Sequence, residues 1–116
     1  MTLLGWGSTQ GVIDEAVEDL ARQGVVANHL QVRWLVPLQA QQIAERLLHT
    51  RKLVIVENNY SGQFARYLRS ETGISADSSI RKYDGEPFLP HHIVDGVKEV
   101  LAGKTRKYVP VHEIRV

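Results

Sequence analysis

Residues 53–56 restrict the fold most, because Leu53-Val54-Ile55-Val56 is an apolar run without polar residues in alternation. A strand that faces water on one side alternates apolar and polar side chains, whereas a strand buried on both faces reads as continuously hydrophobic. The run therefore predicts a central strand. The other short apolar runs are each followed by a stretch of helical period, which indicates βα units and a mostly parallel sheet.

The pattern predicts a single α/β domain over residues 1–103 and a tail over residues 104–116. Strands are predicted at residues 2–6, 25–32, 53–56 and 80–83, with a Ser-rich loop at residues 75–79 before the fourth. Helices are predicted after residues Ser8 and Thr9, from Pro37, over residues 61–71, and from Pro90. Pro110 in the tail is compatible with an edge strand.

The chain begins inside the first predicted strand, which suggests a domain excised from a longer protein or trimmed close to its fold. A formal charge of +1 gives no electrostatic reason to expect a nucleic acid or an anionic membrane as partner. The absence of cysteine excludes thiolate-held iron–sulfur clusters and Cys-based zinc sites within the chain. We expect a cytoplasmic protein without a membrane span.

Parallel strands would gather the loops that follow them at one edge of the sheet, the carboxyl edge. Ligands and partners of open α/β sheets bind at this edge. The loops predicted to meet there comprise residues 5–9, 33–37, 57–63 and 84–90.

Residues 5–11 (Gly5-Trp6-Gly7-Ser8-Thr9-Gln10-Gly11) partly match a dinucleotide-binding turn, since they follow a strand and open a helix. The third glycine comes one residue late, and the second predicted strand ends in Gln31-Val32-Arg33 without an acid for a ribose. A tight turn with hydroxyl caps is the better interpretation.

Residues 57–63 (Glu57-Asn58-Asn59-Tyr60-Ser61-Gly62-Gln63) place a carboxylate and two amides between a central strand and a helix N-terminus. Glu57 can accept hydrogen bonds from the free N–H groups of the helix, and its charge suits the helix dipole. Simple capping and a docking or ligand role both remain open, because the segment carries more polar groups than capping needs.

The remaining polar groups support no separate chemistry. Residues 82–87 (Lys82-Tyr83-Asp84-Gly85-Glu86-Pro87) form a second polar loop on the carboxyl edge. The five histidines lack the spacing of a zinc-binding helix, so no metal site is predicted. Ser8 and Ser61 lack the context of a hydrolase nucleophile.

Residues 5–9, Pro37, residues 57–63 and residues 82–87 together resemble a known family. It is the C-terminal domain of the alpha subunit of 2-oxoacid:ferredoxin oxidoreductases, and the 2-oxoglutarate type is the most similar. The resemblance covers residues 2–101, and residues 57–63 are its most specific part. It implies a transketolase C-terminal-like fold: a three-layer α/β/α sandwich whose mostly parallel five-stranded sheet has one antiparallel edge strand.

The resemblance also implies an enzyme that uses thiamine diphosphate, magnesium, iron–sulfur clusters and CoA to turn a 2-oxoacid into an acyl-CoA and reduce ferredoxin. The implied partners are the other alpha-subunit domains, the beta subunit and ferredoxin. A thiamine diphosphate motif needs Gly-Asp-Gly with Asn-Asn downstream, whereas Asn58-Asn59 lies upstream of Tyr83-Asp84-Gly85. We therefore expect no catalytic residue and no bound cofactor in this domain, which would be inactive alone.

The leading hypothesis is a non-catalytic scaffold that docks through the carboxyl edge. The alternatives are a stand-alone nucleotide- or anion-binding module using Gly5 to Gly11, and a homodimerisation module. The predicted docking or ligand residues are Gly5, Gly7, Ser8, Thr9, Glu57, Asn58, Asn59, Gly62, Gln63, Lys82 and Asp84.

Overall fold

A computed structural model of the chain describes residues 1–32, 39–58, 63–81 and 88–103, together with the backbone of Lys107 and Tyr108. Its strands are β1 (Thr2–Trp6), β2 (Asn28–Val32), β3 (Leu53–Glu57), β4 (Ser78–Arg81) and β5 (Lys107–Tyr108). Its helices are α1 (Gln10–Arg22), which follows a 3-10 turn (Gly7–Thr9), α2 (Ala40–Leu47), α3 (Gln63–Thr72) and α4 (Pro90–Leu101).

The sheet has the order β2-β1-β3-β4-β5. β3 lies at its centre, as the apolar run Leu53–Val56 predicts. Every pairing among these strands is parallel, so the α/β class and the parallel sheet are confirmed.

The prediction that one edge strand is antiparallel is wrong for β5, the fifth strand that the structure describes. Ser79 and Ile80 of β4 pair in parallel with Lys107 and Tyr108. The reason is the preceding connection: α4 carries the chain back to the amino ends of the strands, so β5 sets out in the same direction as β4. β5 has only two residues, and the other four strands make up most of the sheet.

Helices cover both faces of the sheet, because side chains of β3 alternate between two apolar clusters. Val54 and Val56 pack with residues of α1 and α4. Leu53 and Ile55 pack with residues of α2 and α3. Burial on both sides of β3 explains why this segment contains no polar residue before Glu57.

Two predicted strand boundaries need correction. β2 begins at Asn28 instead of Val25, because the Val25 N–H donates to the Leu20 carbonyl and closes α1 beside Gly24, whose φ is +82°. β4 begins at Ser78 instead of Ile80, because Ser78 and Ser79 already pair with β3.

Other predictions hold as far as the structure describes them. β1 spans residues 2–6, and Pro90 begins α4. The helix predicted from Pro37 begins instead at Ala40, because the backbone of Gln39, its N-cap, is not helical. Predictions for residues 61 and 62, for Lys82 and Tyr83, and for the tail beyond Tyr108 lie outside the described residues. Within the described part, no helix combines the length and the apolar character that a bilayer span requires.

Candidate functional site

The carboxyl edge of the sheet brings together the turn after β1 and the end of β3. Trp6, the last residue of β1, stacks on Phe64 of α3 with ring centroids 5.8 Å apart and an interplanar angle of 28°. This aromatic contact ties the Gly5–Thr9 turn to the helix that follows Glu57. The sequence gives no direct signal for it, because 58 positions separate the two rings.

Glu57 is wholly buried at the end of β3 and acts as a cap for α3. Its Oε1 accepts a hydrogen bond from the Phe64 N–H at 2.7 Å, and its Oε2 accepts one from the Ala65 N–H at 3.3 Å. The prediction that Glu57 accepts from the first N–H groups of the helix is therefore confirmed.

Burial raises the pKa of Glu57 above its ordinary value of 4.5. The two backbone hydrogen bonds and the positive charges of Arg81 and Arg66 oppose this shift without overcoming it. Arg81 lies beside Glu57 in the register of β3 and β4. Both oxygens of the carboxylate are thus engaged inside the domain.

Gly5 is required by packing. A Cβ atom there would collide with Ile13 Cδ1 and come within 2.7 Å of Thr9 Oγ1 and 2.9 Å of Gln31 Oε1. The space beside Gly5 is therefore filled by α1 and β2, where the nucleotide-binding hypothesis needs room for a phosphate.

Gly7 is required by backbone conformation, because its φ is +66° and nothing lies near a Cβ there. Its carbonyl accepts a hydrogen bond from Gln31 Nε2 at 3.1 Å. Gln31 Oε1 contacts His29 Nε2 at 2.8 Å, and His29 Nδ1 contacts Asp14 Oδ1 at 2.6 Å. Sequence reasoning missed this chain of contacts, which holds the turn against β2 and α1.

The sequence predicts that the hydroxyl groups of Ser8 or Thr9 cap α1, and this prediction is wrong. Thr9 is buried, and its Oγ1 donates to the Trp6 carbonyl at 3.0 Å, back into the turn. Ser8 is exposed, and the N-cap of α1 has no side-chain hydrogen bond. The short 3-10 turn continues directly into the helix.

The remaining predicted residues divide into two groups. Asn58 and Gln63 are exposed at the carboxyl edge on either side of residues 59–62. Asn59, Gly62, Lys82 and Asp84 lie outside the described residues. Across the described ranges, no three His, Asp or Glu side chains are grouped so that they could hold a metal ion.

The beginning of α4 provides a second cap near the same edge. The Leu89 N–H donates to His92 Nδ1 at 3.1 Å, and the buried Phe88 ring contacts the His92 ring edge-on at 6.4 Å. The edge that the structure describes therefore contains caps, a tight turn and exposed small polar groups.

Comparison with known proteins identifies the family. Residues 1–72 match the family described as "Transketolase, C-terminal domain". The alpha subunit of 2-oxoacid:ferredoxin oxidoreductase 2 from Aeropyrum pernix is 38% identical over 112 residues, which is 97% of this chain but 17% of that subunit. The chain thus spans about a sixth of that curated relative.

Two solved structures are similar in fold and sequence. One is 2-oxoglutarate:ferredoxin oxidoreductase from Magnetococcus marinus with 2-oxoglutarate, coenzyme A and succinyl-CoA bound; its TM-score is 0.77 with 31% identity, over 84% of this chain and 17% of that one. The other is the alpha chain of a probable 2-oxoacid ferredoxin oxidoreductase from Thermoplasma acidophilum, with a TM-score of 0.59, 32% identity and 87% coverage of both chains. The chain therefore belongs to the transketolase C-terminal domain family, in the form found in alpha subunits of 2-oxoacid:ferredoxin oxidoreductases.

Proposed function

We propose that this chain is a non-catalytic scaffold and interface domain of a 2-oxoacid:ferredoxin oxidoreductase. Residues 1–103 form the domain and residues 104–116 a tail. Its carboxyl edge docks on the other domains of the alpha subunit and on the beta subunit, in the cytoplasm. The whole enzyme oxidises a 2-oxoacid, with 2-oxoglutarate the first candidate, to an acyl-CoA and reduces ferredoxin.

The engagement of Glu57 is the observation that carries this proposal. Glu57 is the carboxylate that the sequence singles out at the carboxyl edge, and both of its oxygens accept from α3 in a wholly buried position. A general acid or a metal ligand must reach a substrate or an ion, which this carboxylate does not. Among the described residues of this edge, Gly7, Ser8, Asn58 and Gln63 are exposed and uncharged.

The described residues do not fit the binding of thiamine diphosphate. The magnesium ion that holds a diphosphate is coordinated by carboxylate and amide oxygens that are free to bind it. The Glu57 oxygens are occupied by the helix, and no group of three acidic or His side chains is present in the described part of the chain. Thiamine diphosphate, magnesium, the iron–sulfur clusters and CoA are assigned to the rest of the enzyme.

Complementation tests this proposal directly. An alpha subunit that lacks this domain is expressed with its beta subunit, and CoA-dependent reduction of ferredoxin is measured with 2-oxoglutarate, pyruvate and 2-oxoisovalerate. We expect the isolated domain to be inactive with all three, and we expect activity to require the domain. Activity of the isolated domain would refute a non-catalytic role.

Two edge variants and one matched control test the docking edge. Ser8→Arg and Asn58→Arg place a large cation on exposed positions of the carboxyl edge, whereas Ser70→Arg does so on the exposed surface of α3 far from that edge. We expect the first two to weaken assembly with the beta subunit, as measured by size-exclusion chromatography, and Ser70→Arg to assemble normally. Equal assembly of all three would refute docking through this edge.

A further inference from the structure

The outer strand β2 leaves backbone groups available on one side. In the part of the chain that the structure describes, β2 pairs with β1 alone. The Asn28 N–H donates to the Met1 carbonyl at 3.0 Å, so the backbone of Asn28, and by alternation that of Leu30 and Val32, faces β1. The N–H and carbonyl groups of His29 and Gln31 therefore face outward, where another strand could pair with them.

A groove runs along this outer strand, between β2 and α2. It consists of two adjoining recesses of about 500 Å³ and 450 Å³, which share Leu30 and Arg46. Leu30, Val32 and Ile43 supply apolar surface in the first recess. The groove thus offers a strand edge beside apolar surface, which is what an added strand needs for its backbone and for alternate side chains.

The described residues that line the groove carry charge of one sign. Arg46 lines both recesses, and Arg51 lines the second. None of the described lining residues is an Asp or Glu. Among the described residues, the salt bridges present do not involve Arg46 or Arg51, so both guanidinium groups are available to a partner.

We propose that β2 and this groove bind an extended, acidic segment of a partner protein by strand addition. The segment pairs its backbone with His29 and Gln31, and its carboxylates face Arg46 and Arg51. This surface lies along the side of the sheet and reaches the carboxyl edge at Val32 and Gln39, and the proposal does not depend on the function proposed above.

Peptide binding tests the proposal on the full chain. The probe is a fluorescent peptide of about eight residues that alternates Glu with Val and Thr, compared with the same peptide carrying Gln in place of Glu. We expect the Glu peptide to bind at least about fivefold more tightly than the Gln peptide, with a difference that shrinks at high salt. Amide NMR shifts should be largest at residues 28–32.

Two pairs of variants separate strand addition from other modes of binding. Gln31→Pro and Gln31→Ala both lose the Gln31 side chain, but only the proline removes the outward N–H, which an edge strand tolerates. We expect Gln31→Pro to lose peptide binding and Gln31→Ala to keep it. The double variant Arg46→Glu/Arg51→Glu should weaken binding of the Glu peptide at least about fivefold, whereas Arg69→Glu/Lys98→Glu, with the same charge change on α3 and α4, should not.

Several results would overturn the proposal. Equal binding of both peptides, or the absence of binding, would show that the groove does not select acidic strands. Equal binding by the two Gln31 variants would exclude backbone pairing. If citrate or inorganic phosphate displaces the peptide at equal concentration, the groove is a small-anion site. If sedimentation shows that the chain forms a dimer and that Gln31→Pro dissociates it, the groove binds a second copy of this chain instead of an acidic partner segment.

Discussion

Removal of the Glu57 carboxylate tests how the end of β3 holds α3. In the wild type, the Phe64 and Ala65 N–H groups donate to the Glu57 carboxylate at 2.7 Å and 3.3 Å. The variant Glu57→Ala leaves both N–H groups without this acceptor. Glu57→Gln is the matched control, because it keeps the volume and the Oε1 acceptor for Phe64 while it removes the charge.

The expected cost of Glu57→Ala follows from these contacts. A buried N–H without a partner costs about 1–3 kcal/mol, and loss of a helix cap costs about 1 kcal/mol. Burial raises the pKa of Glu57 because the charged carboxylate is costly to bury. The variant no longer buries that charge, which offsets part of the cost. We expect a net loss of about 2 kcal/mol at pH 7, which is a large fraction of the stability of a small domain.

The control should behave differently at neutral pH. Glu57→Gln loses the bond to Ala65, since two donors then face each other, but it also loses the penalty of a buried charge. We expect its free energy of unfolding to lie within about 1 kcal/mol of the wild type.

The pH dependence has a defined sign. Because the folded protein raises the pKa of Glu57, it binds this proton more tightly than the unfolded chain does. The stability that protonation of Glu57 contributes is complete at a pH below 4.5, the ordinary pKa of the group. It is lost as the pH rises through the pKa of Glu57 in the folded protein. The difference between the wild type and Glu57→Gln should therefore move in favour of the wild type as the pH is lowered from 7 toward 4.5.

Urea unfolding provides the assay. Circular dichroism reports the global transition, and fluorescence of Trp6, which stacks on Phe64 directly at the cap, reports the local one when Trp34 is replaced by Phe. A loss of about 2 kcal/mol corresponds to about 8 °C in Tm for a domain of this size. A Glu57→Ala variant within about 0.5 kcal/mol of the wild type would refute the capping role, and a pH dependence of opposite sign would refute the effect of burial.

Three further substitutions test other local features by urea unfolding. Gly5→Ala should destabilise the domain by about 1–3 kcal/mol, because the added methyl group collides with Ile13; an unchanged midpoint would contradict the packing requirement. Gly7→Ala should cost about 1–2 kcal/mol, because φ is +66° there while the space around it is open, and substitution to Asn should recover part of the loss. Asp77→Ala removes the carboxylate that accepts from the Leu53 N–H at 2.7 Å and should cost about 1.5–3 kcal/mol, with Asp77→Asn less affected; equal stability of the alanine variant would show that this bond contributes nothing.

The sequence by itself determined the architecture that local pattern controls. The run Leu53–Val56 has no polar residue, and only a strand covered on both faces satisfies it, so a central strand with helices on each side was predictable. Glu57 directly before a helix could be predicted to accept from its first N–H groups, because capping involves residues close in the chain. The family resemblance was also visible from short motifs, and the comparisons confirm it at the level of the 2-oxoacid:ferredoxin oxidoreductases.

Only the tertiary structure decided the features that depend on distant residues. Gly5 reads as part of a nucleotide-binding motif until Ile13, Thr9 and Gln31 are seen to fill the space beside it. Three further features also pair segments that are far apart in the chain: the contact of Trp6 with Phe64, the hydrogen bond from Gln31 to Gly7, and the parallel pairing of β5 with β4. Such pairings depend on how strands and helices pack, and the period of a single segment carries information about its own burial but not about its partner.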